Sequence, residues 1–171
     1  TIKKKFKKLK IKKHSDHVIL VSDIEPKKII SFISSELKDV SFSYDKKNKI
    51  FEWTTPNNWW ASHTMAPTAI YWKGRIRVFI GAWDKDIISR ITYIDLDPLN
   101  PHNIIKVNDK LPVLNIGDDG MFDENGVFPA HATVIDGKIN LYYTGFQKGH
   151  KILHYNFGGL AISEDGDNFT R

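Results

Sequence analysis

The 171-residue sequence predicts an all-β fold built from antiparallel sheets. Apolar and polar residues alternate with a period of two, turn residues separate the alternating runs, and one strand-turn-strand pattern occurs twice. In the second copy, runs at residues 127–135 and 138–146 flank Asp136-Gly137. This pair supplies the positive φ angles that a two-residue hairpin turn needs. We therefore expect a β-hairpin at this position.

The repeated pattern begins at Pro67 and again at Pro129, each time with an apolar run, a turn glycine, an alternating run and a terminal aromatic residue. The offset is 62 residues between the prolines and 63 between the turn glycines Gly74 and Gly137. A third run follows in each copy, at residues 89–95 and 159–163. Repeated units of three or four antiparallel strands are typical of β-propeller blades, so we predict about two blades of a propeller.

The segment before the first copy is predicted to hold strands and one short helix. Residues 26–37 have isoleucines on one helical face and a proline where a first turn tolerates it. Strands are expected at residues 17–22, 40–44 and 49–54. The predicted organisation is a basic arm at 1–16, N-terminal strands and helix at 17–55, a first blade at 56–115 and an incomplete second blade at 116–171.

The basic charge is concentrated in the arm. Residues 1–13 hold eight lysines and no acid, and the rest of the chain has 17 basic against 20 acidic residues. Ile2, Phe6 and Leu9 have helical spacing, which leaves two interpretations: a short amphipathic helix on an anionic membrane surface, bound through the lysines from Lys3 to Lys13, or a solvated arm. Nucleic acid binding is not expected, because the arm matches no recognisable module for it.

Composition narrows the classes of protein further. The sequence has no cysteine, which excludes disulfides and thiolate zinc sites and fits a reducing compartment. No apolar run approaches the ~20 residues needed to cross a bilayer, and no apolar core follows the lysines as in a signal peptide. We expect a cytoplasmic protein, with peripheral contact at the inner membrane face as the alternative, and with no cofactor and no bound metal.

Asp123 and Glu124 lie in an acidic turn just before the first strand of the second copy. Glycosidic chemistry needs two carboxylates at a cavity: one protonates the leaving oxygen, and the other activates water or attacks the sugar. The same Asp-Glu-Asn-Gly sequence is also an ordinary turn with side chain to backbone hydrogen bonds. His131, on the strand that follows, is a candidate for hydrogen bonding to a sugar hydroxyl, for ligating a metal or for a structural role.

Five more candidates lie around the first copy. Trp59 and Trp60 form either a platform on which a sugar ring stacks or a cap over the end of the core. His63, directly before the first strand, is a candidate site residue or a structural histidine. Asp84 and Arg90 bind hydroxyl groups or form an ion pair within a turn.

Residues 122–129, 136–145 and 159–169 together resemble the five-bladed β-propeller glycosidase superfamily of the arabinanase, xylosidase and invertase type. Ser62-His63 through Pro67, with Arg90-Ile91, more closely resembles glycosidase-like propeller proteins found with bacterial surface-polysaccharide genes. The resemblance covers roughly residues 56–171. It implies a funnel to which successive blades contribute acidic residues.

The resemblance implies a carbohydrate-active protein that acts on or recognises a glycoside or sugar conjugate in surface-polysaccharide metabolism. Asp123 and Glu124 are then the catalytic candidates. Ser62 and His63 stand where the superfamily usually places a base in its first blade, which argues against ordinary hydrolysis. Blades bury their faces against neighbours, so two alone are expected to be marginally stable, and we expect a fragment of a longer propeller. The superfamily usually takes its general acid from a third blade, so this chain alone is expected to be inactive. A non-catalytic sugar-binding or scaffold module and a glycosyl-transferring enzyme are the alternatives.

Overall fold

The structure, a computed structural model, describes residues 10–13, 18–21 and 49–171. These residues form nine strands, all paired antiparallel, and no helix. The chain divides into two compact units, Thr1–Lys49 and Ile50–Arg171. The predicted all-β, antiparallel class is confirmed for the described residues. The helix predicted at 26–37 and the strand predicted at 40–44 lie outside them.

In the first unit, β1 (Lys10–Lys13) pairs with β2 (Val18–Val21). β2 agrees with the strand predicted at 17–22. The end of the lysine arm is therefore extended, which corrects the amphipathic-helix interpretation for Lys10–Lys13. Ile2, Phe6 and Leu9 lie outside the described residues. The described residues contain no helix that is long and apolar enough to cross a bilayer.

The first sheet of the second unit is a four-stranded meander with its strands side by side in chain order. Lys73 and Gly74 connect its first two strands with φ angles of 43° and 87°, a two-residue turn in which glycine avoids the Cβ clash. The four strands are β3 (Thr64–Trp72), β4 (Arg75–Trp83), β5 (Ser89–Asp97) and β6 (Asn100–Val107).

The second sheet is a three-stranded meander of β7 (Val127–Ile135), β8 (Lys138–Lys148) and β9 (His154–Ser163). The predicted Asp136-Gly137 hairpin turn is present, with φ angles of 49° and 77°. The two sheets are the two blades that the repeat predicts.

The repeat extends to single hydrogen bonds. The Ser62 N–H donates to the Trp83 carbonyl at 3.0 Å, and the Asn125 N–H donates to the Phe146 carbonyl at 3.2 Å, so each partner is displaced by 63 residues. The return bonds from Trp83 to the carbonyl of residue 63, and from Phe146 to that of residue 126, have the same displacement. The two blades therefore share one register.

The first strand of each sheet, β3 or β7, which we call its inner strand, contains a bulge beside a proline. The register shifts between Met65 and Thr68 in β3 and between Pro129 and His131 in β7. Proline has no N–H to donate to the ladder, so bulges are where sheets accommodate it. Pro67 and Pro129 take neighbouring positions within equivalent bulges, which explains why their offset is one residue shorter than the register.

The core lies on both faces of the first sheet. On one face, Phe79 and Tyr93 share an apolar cluster with Ile139 and Leu141 of the second sheet, and all four are fully buried. This contact joins the two blades into one packed body.

The opposite face is covered by aromatic residues that precede β3. Trp60 is fully buried against Ile80, and Trp53 stacks on it with ring centroids 3.9 Å apart and an interplanar angle of 8°. The strand predicted at residues 49–54 is wrong, because this segment is irregular. Its alternating Phe51 and Trp53 instead both pack against Trp60 in the cover on this sheet face.

Arg77 is buried between the two sheets, with 3% of its surface exposed. Its guanidinium donates to both carboxylate oxygens of Asp95, at 2.8 and 3.0 Å, and to the Gly166 carbonyl at 2.6 Å. It also lies 3.5 Å from the ring centroid of Tyr93. Burial alone lowers the pKa of Arg77, but the Asp95 carboxylate outweighs this, and the pKa lies above its ordinary value. Because Gly166 follows β9, one cation ties the two blades together.

We predict that Arg77→Ala lowers the free energy of unfolding by about 3–5 kcal/mol, because it leaves the Asp95 carboxylate buried without its main partner. Arg75→Ala is the matched control. Arg75 contacts the same carboxylate at 3.1 Å from a side chain that is 38% exposed, and its loss should cost less than about 1 kcal/mol. Urea denaturation measures both values, and equal losses would contradict the assignment.

Candidate functional site

Asp123 has a buried carboxylate, with 1% of the residue exposed. Its Oδ2 accepts hydrogen bonds from the Tyr143 hydroxyl at 3.0 Å and from Arg171 Nε at 2.8 Å. Two glycines make room for it. A Cβ on Gly117 would lie 2.1 Å from Asp123 Oδ1, and one on Gly145 would lie 2.3 Å from Asp123 Cβ. The local sequence therefore provides a fitted space for this one acidic side chain.

A cleft of about 350 Å³ opens beside Asp123. This volume is within the range of small-molecule sites, about 300–1,000 Å³. The cleft combines two carboxylates, a phenol and a guanidinium with apolar walls. Its lining comprises Ile116, Gly117, Asp118, Met121, Phe122, Asp123, Tyr143, Gly158, Gly159, Leu160 and Arg171.

A chain of polar contacts connects this cleft to the first blade. Asp84 Oδ2 accepts from Arg90 at 2.8 Å, and Arg90 Nε donates to Asn115 Oδ1 at 2.9 Å. The Asn115 carbonyl accepts from Arg171, which also holds Asp123. Burial alone raises the pKa of Asp84, but hydrogen bonds from Arg90 and from two backbone N–H groups hold it below its ordinary value. Three predicted site residues, Asp84, Arg90 and Asp123, thus belong to one network.

Glu124 has different surroundings from Asp123 and does not line the cleft. Its Oε2 accepts from the Gly120 N–H at 2.5 Å, and its Oε1 lies 3.5 Å from Gln147 Nε2. Glu124 therefore caps the turn that the sequence contains. Asp118, an exposed residue that sequence reasoning did not select, is the carboxylate that shares the cleft with Asp123.

The tryptophan pair is part of the cover on the first sheet. Asn57 Oδ1 accepts from the backbone N–H groups of both Trp59 and Trp60, at 3.0 and 2.8 Å. Trp59 Nε1 donates to the Lys110 carbonyl at 3.2 Å. Trp60 has no exposed surface, so neither of its ring faces is open to a ligand. Trp59, which is half-buried, keeps part of its ring exposed.

His63 is exposed and lies at one end of a row of rings. Its ring stacks on Trp83 with centroids 5.3 Å apart and an interplanar angle of 12°. Trp83 stacks on Phe146 at 5.9 Å and 18°, and His154 lies 5.0 Å beyond Phe146. Of these four residues, only His63 was a predicted site residue. Trp83 and Phe146 are the terminal aromatic residues of the two repeats, and this equivalence in the sequence could have indicated that they lie close together.

The structure separates His131 from the cleft. Its neighbour Ala132 is buried against the first sheet, whereas His131 is exposed on the opposite face of β7, with its ring 6.4 Å from that of Tyr142. Tyr143 and Arg171 were not predicted, and Arg171 has no motif that could have indicated its role. Among the described residues, no group of three or more His, Asp and Glu side chains could hold a metal ion.

Comparison with known proteins defines the fold. No family model matches the sequence. The chain is 29% identical over 130 residues to the uncharacterized proteins Rv1502 and MT1551 of Mycobacterium tuberculosis, a match to 75% of this chain and 43% of theirs. It therefore spans less than half the length of these relatives.

Among solved structures, a glycosyl hydrolase from Bacteroides ovatus superposes with a TM-score of 0.53 at 21% identity, over 66% of this chain and 32% of that one. This likeness shows the fold. The predicted resemblance to glycosidase-type propellers is thereby confirmed at the level of architecture.

Tyr143 should influence stability at alkaline pH. Burial chiefly, and then the hydrogen bond to the Asp123 carboxylate, raise the pKa of Tyr143 above its ordinary value, while Arg171 opposes this. Because the folded-state pKa is the higher one, this contribution is present below about pH 10 and is lost as the pH rises through the folded pKa. Tyr143→Phe should therefore show a shallower alkaline loss of unfolding free energy, and a cost of about 1–3 kcal/mol at neutral pH from the buried carboxylate's lost donor.

Urea titrations at a series of pH values measure this difference. Tyr142→Phe is the control, since that residue is 41% exposed and its hydroxyl makes no hydrogen bond among the described residues. Identical pH profiles for wild type and Tyr143→Phe would refute the assignment.

Proposed function

We propose that the protein is a carbohydrate-active β-propeller that recognises a glycoside in the cleft beside Asp123. The observation that carries the proposal is a carboxylate with 1% exposure at the wall of an open cleft. Burying a charge is costly, and here a phenol and a guanidinium of the same cleft offset that cost. The described chain thus holds converging polar groups in a concave site, the usual form of a ligand site.

The chemistry of the lining suits a sugar. Carboxylates accept hydrogen bonds from hydroxyl groups, and the guanidinium donates to hydroxyl and ring oxygens. Phe122, which is half-buried and stacks on the buried Tyr143 at 6.1 Å and 20°, supplies aromatic surface of the kind that packs on the C–H face of a sugar ring. The likeness in fold to a protein described as a glycosyl hydrolase supports the same ligand class.

Hydrolysis of an O-glycosyl bond is the activity that we propose for the whole protein. It needs two carboxylates with different surroundings. Asp123, paired with Arg171, suits stabilisation of the positive charge that develops on the sugar. Asp118, exposed in the cleft, suits proton transfer. Neither β3 nor β7 contains an acidic residue, so the proposal assigns the chemistry to the two carboxylates that line the cleft. Surface-polysaccharide metabolism is the setting that the sequence resemblance favours, and the lack of cysteine fits a cytoplasmic location.

A non-catalytic sugar-binding module is the competing function. It is favoured by the engagement of Asp123 with two partners and by the presence of Ser62-His63 at the start of the first inner strand. In that case the same cleft binds the glycoside and no bond is broken.

Binding to a panel of oligosaccharides and turnover of aryl glycosides test both functions. We expect Asp118→Asn to weaken binding by about 10- to 100-fold, the range for a lost hydrogen bond to a charged group. Asp119→Asn is the matched control, because it removes the same charge from the neighbouring exposed residue, which does not line the cleft. Its affinity should stay within about twofold of wild type.

Turnover by the wild type that Asp123→Asn abolishes, with binding retained, identifies the enzyme. Binding without turnover in the wild type identifies the module. Equal effects of Asp118→Asn and Asp119→Asn on affinity would show that the cleft serves neither function.

A further inference from the structure

The two blades differ in the residue that lies over the aromatic ring at the end of the repeated pattern, which is Trp83 in the first blade and Phe146 in the second. In the shared register, Gly126 of the second blade corresponds to His63 of the first, and Phe146 corresponds to Trp83. A Cβ on Gly126 would lie 2.1 Å from Phe146 Cζ, so the Phe146 ring leaves no room for a side chain there. In the first blade, the position is open and an imidazole occupies it. His63 is thus a side chain for which the second blade has no equivalent.

The imidazole of His63 stacks on a buried aromatic ring. Trp83, on which it stacks, is 8% exposed and stacks in turn on Phe146, which is 4% exposed. Trp83 Nε1 is buried and has no hydrogen-bond partner among the described residues. Stacked aromatic rings of this kind hold their geometry through dispersion and quadrupole terms. His63 therefore presents a ring edge in a defined plane.

The stacking does not determine the tautomer of His63, that is, which ring nitrogen carries the proton. Ser62 Oγ lies 2.7 Å from His63 Nδ1, and the described residues make no other hydrogen bond to this ring. A neutral imidazole has one N–H donor and one acceptor nitrogen, and the hydrogen bond at one nitrogen decides which. When the Ser62 hydroxyl donates to Nδ1, the proton of the ring resides on Nε2.

We propose that Ser62 is a positioning residue that holds His63 as the Nε2–H tautomer, so that this N–H donates to a hydroxyl or ring oxygen of a bound carbohydrate. The contact lies outside the Asp123 cleft and extends the proposed function to the start of the first inner strand. The ligand class rests on the proposed function, and the chemistry presented is compatible with it: one neutral N–H donor at the edge of a ring stacked on Trp83.

Long-range proton–nitrogen correlation spectra of histidine-labelled protein, recorded at alkaline pH where imidazoles are neutral, read the tautomer directly. His63→Gln assigns the signals. We expect Ser62→Ala to lower the ratio of Nε2–H to Nδ1–H forms about fivefold, the factor that one ordinary hydrogen bond supplies. Ser62→Thr, which keeps the hydroxyl, should restore the ratio. An unchanged ratio in Ser62→Ala overturns the positioning role.

The ligand is tested in the same spectra with the methyl glycosides of glucose, galactose, mannose, xylose and arabinose. A shift of the His63 Nε2–H signal on addition of one of them, reduced in Ser62→Ala and kept in Ser62→Thr, supports the contact. No shift with any of these sugars overturns the contact. Binding at the cleft is followed through Asp118→Asn, so failure of the proposed function and failure of this inference give different results.

Discussion

The fold of the described second unit depends on one buried cation. Arg77 lies between the sheets, where an unpaired guanidinium would be strongly unfavourable, and its partners come from two other segments, β5 and the turn after β9. Asp95 comes from the neighbouring strand, the Tyr93 ring supplies a face, and the Gly166 carbonyl comes from the turn after β9. That turn is itself held by Asp165, whose carboxylate accepts hydrogen bonds from the backbone N–H groups of Asn168 and Asp167. These hydrogen bonds hold the pKa of Asp165 far below its ordinary value. The ion pair therefore sets the packing of one blade on the other.

The cleft is a consequence of this packing. Beyond the Asp165 turn, Thr170 exchanges two backbone hydrogen bonds with Ile162, at 2.8 and 3.0 Å, on the free edge of β9. This bridge brings Arg171 over Asp123, and Arg171 also reaches the Asn115 carbonyl of the loop that leaves the first blade. A structural ion pair and a candidate ligand site are thus two ends of one connected chain of contacts.

Polar chemistry occurs where the repeat is broken. At one register position the first blade has Trp60 and the second has Asp123, both fully buried, the one within an aromatic cover and the other within a fitted polar space. At another, the first blade has His63 and the second has Gly126. Where both copies keep the same residue type, as at the turn glycines and the terminal aromatic rings, the role is architectural.

The sequence by itself determined the strands of the two repeats, the hairpin turn at Asp136-Gly137 and the repeat itself, because alternation and turn chemistry are local properties that neighbouring residues specify. It also placed Asp123 and His63 among the candidates. Only the tertiary structure decided that Trp60 is core, that Asp118 rather than Glu124 shares the cleft, and that Tyr143 and Arg171 hold the buried carboxylate. These outcomes depend on which side chains from distant segments meet, as with Arg171 and Asp123, and no local pattern encodes such a meeting. The strand expected at residues 49–54 failed for the same reason, since its aromatic residues gain more by covering a finished sheet than by pairing in one.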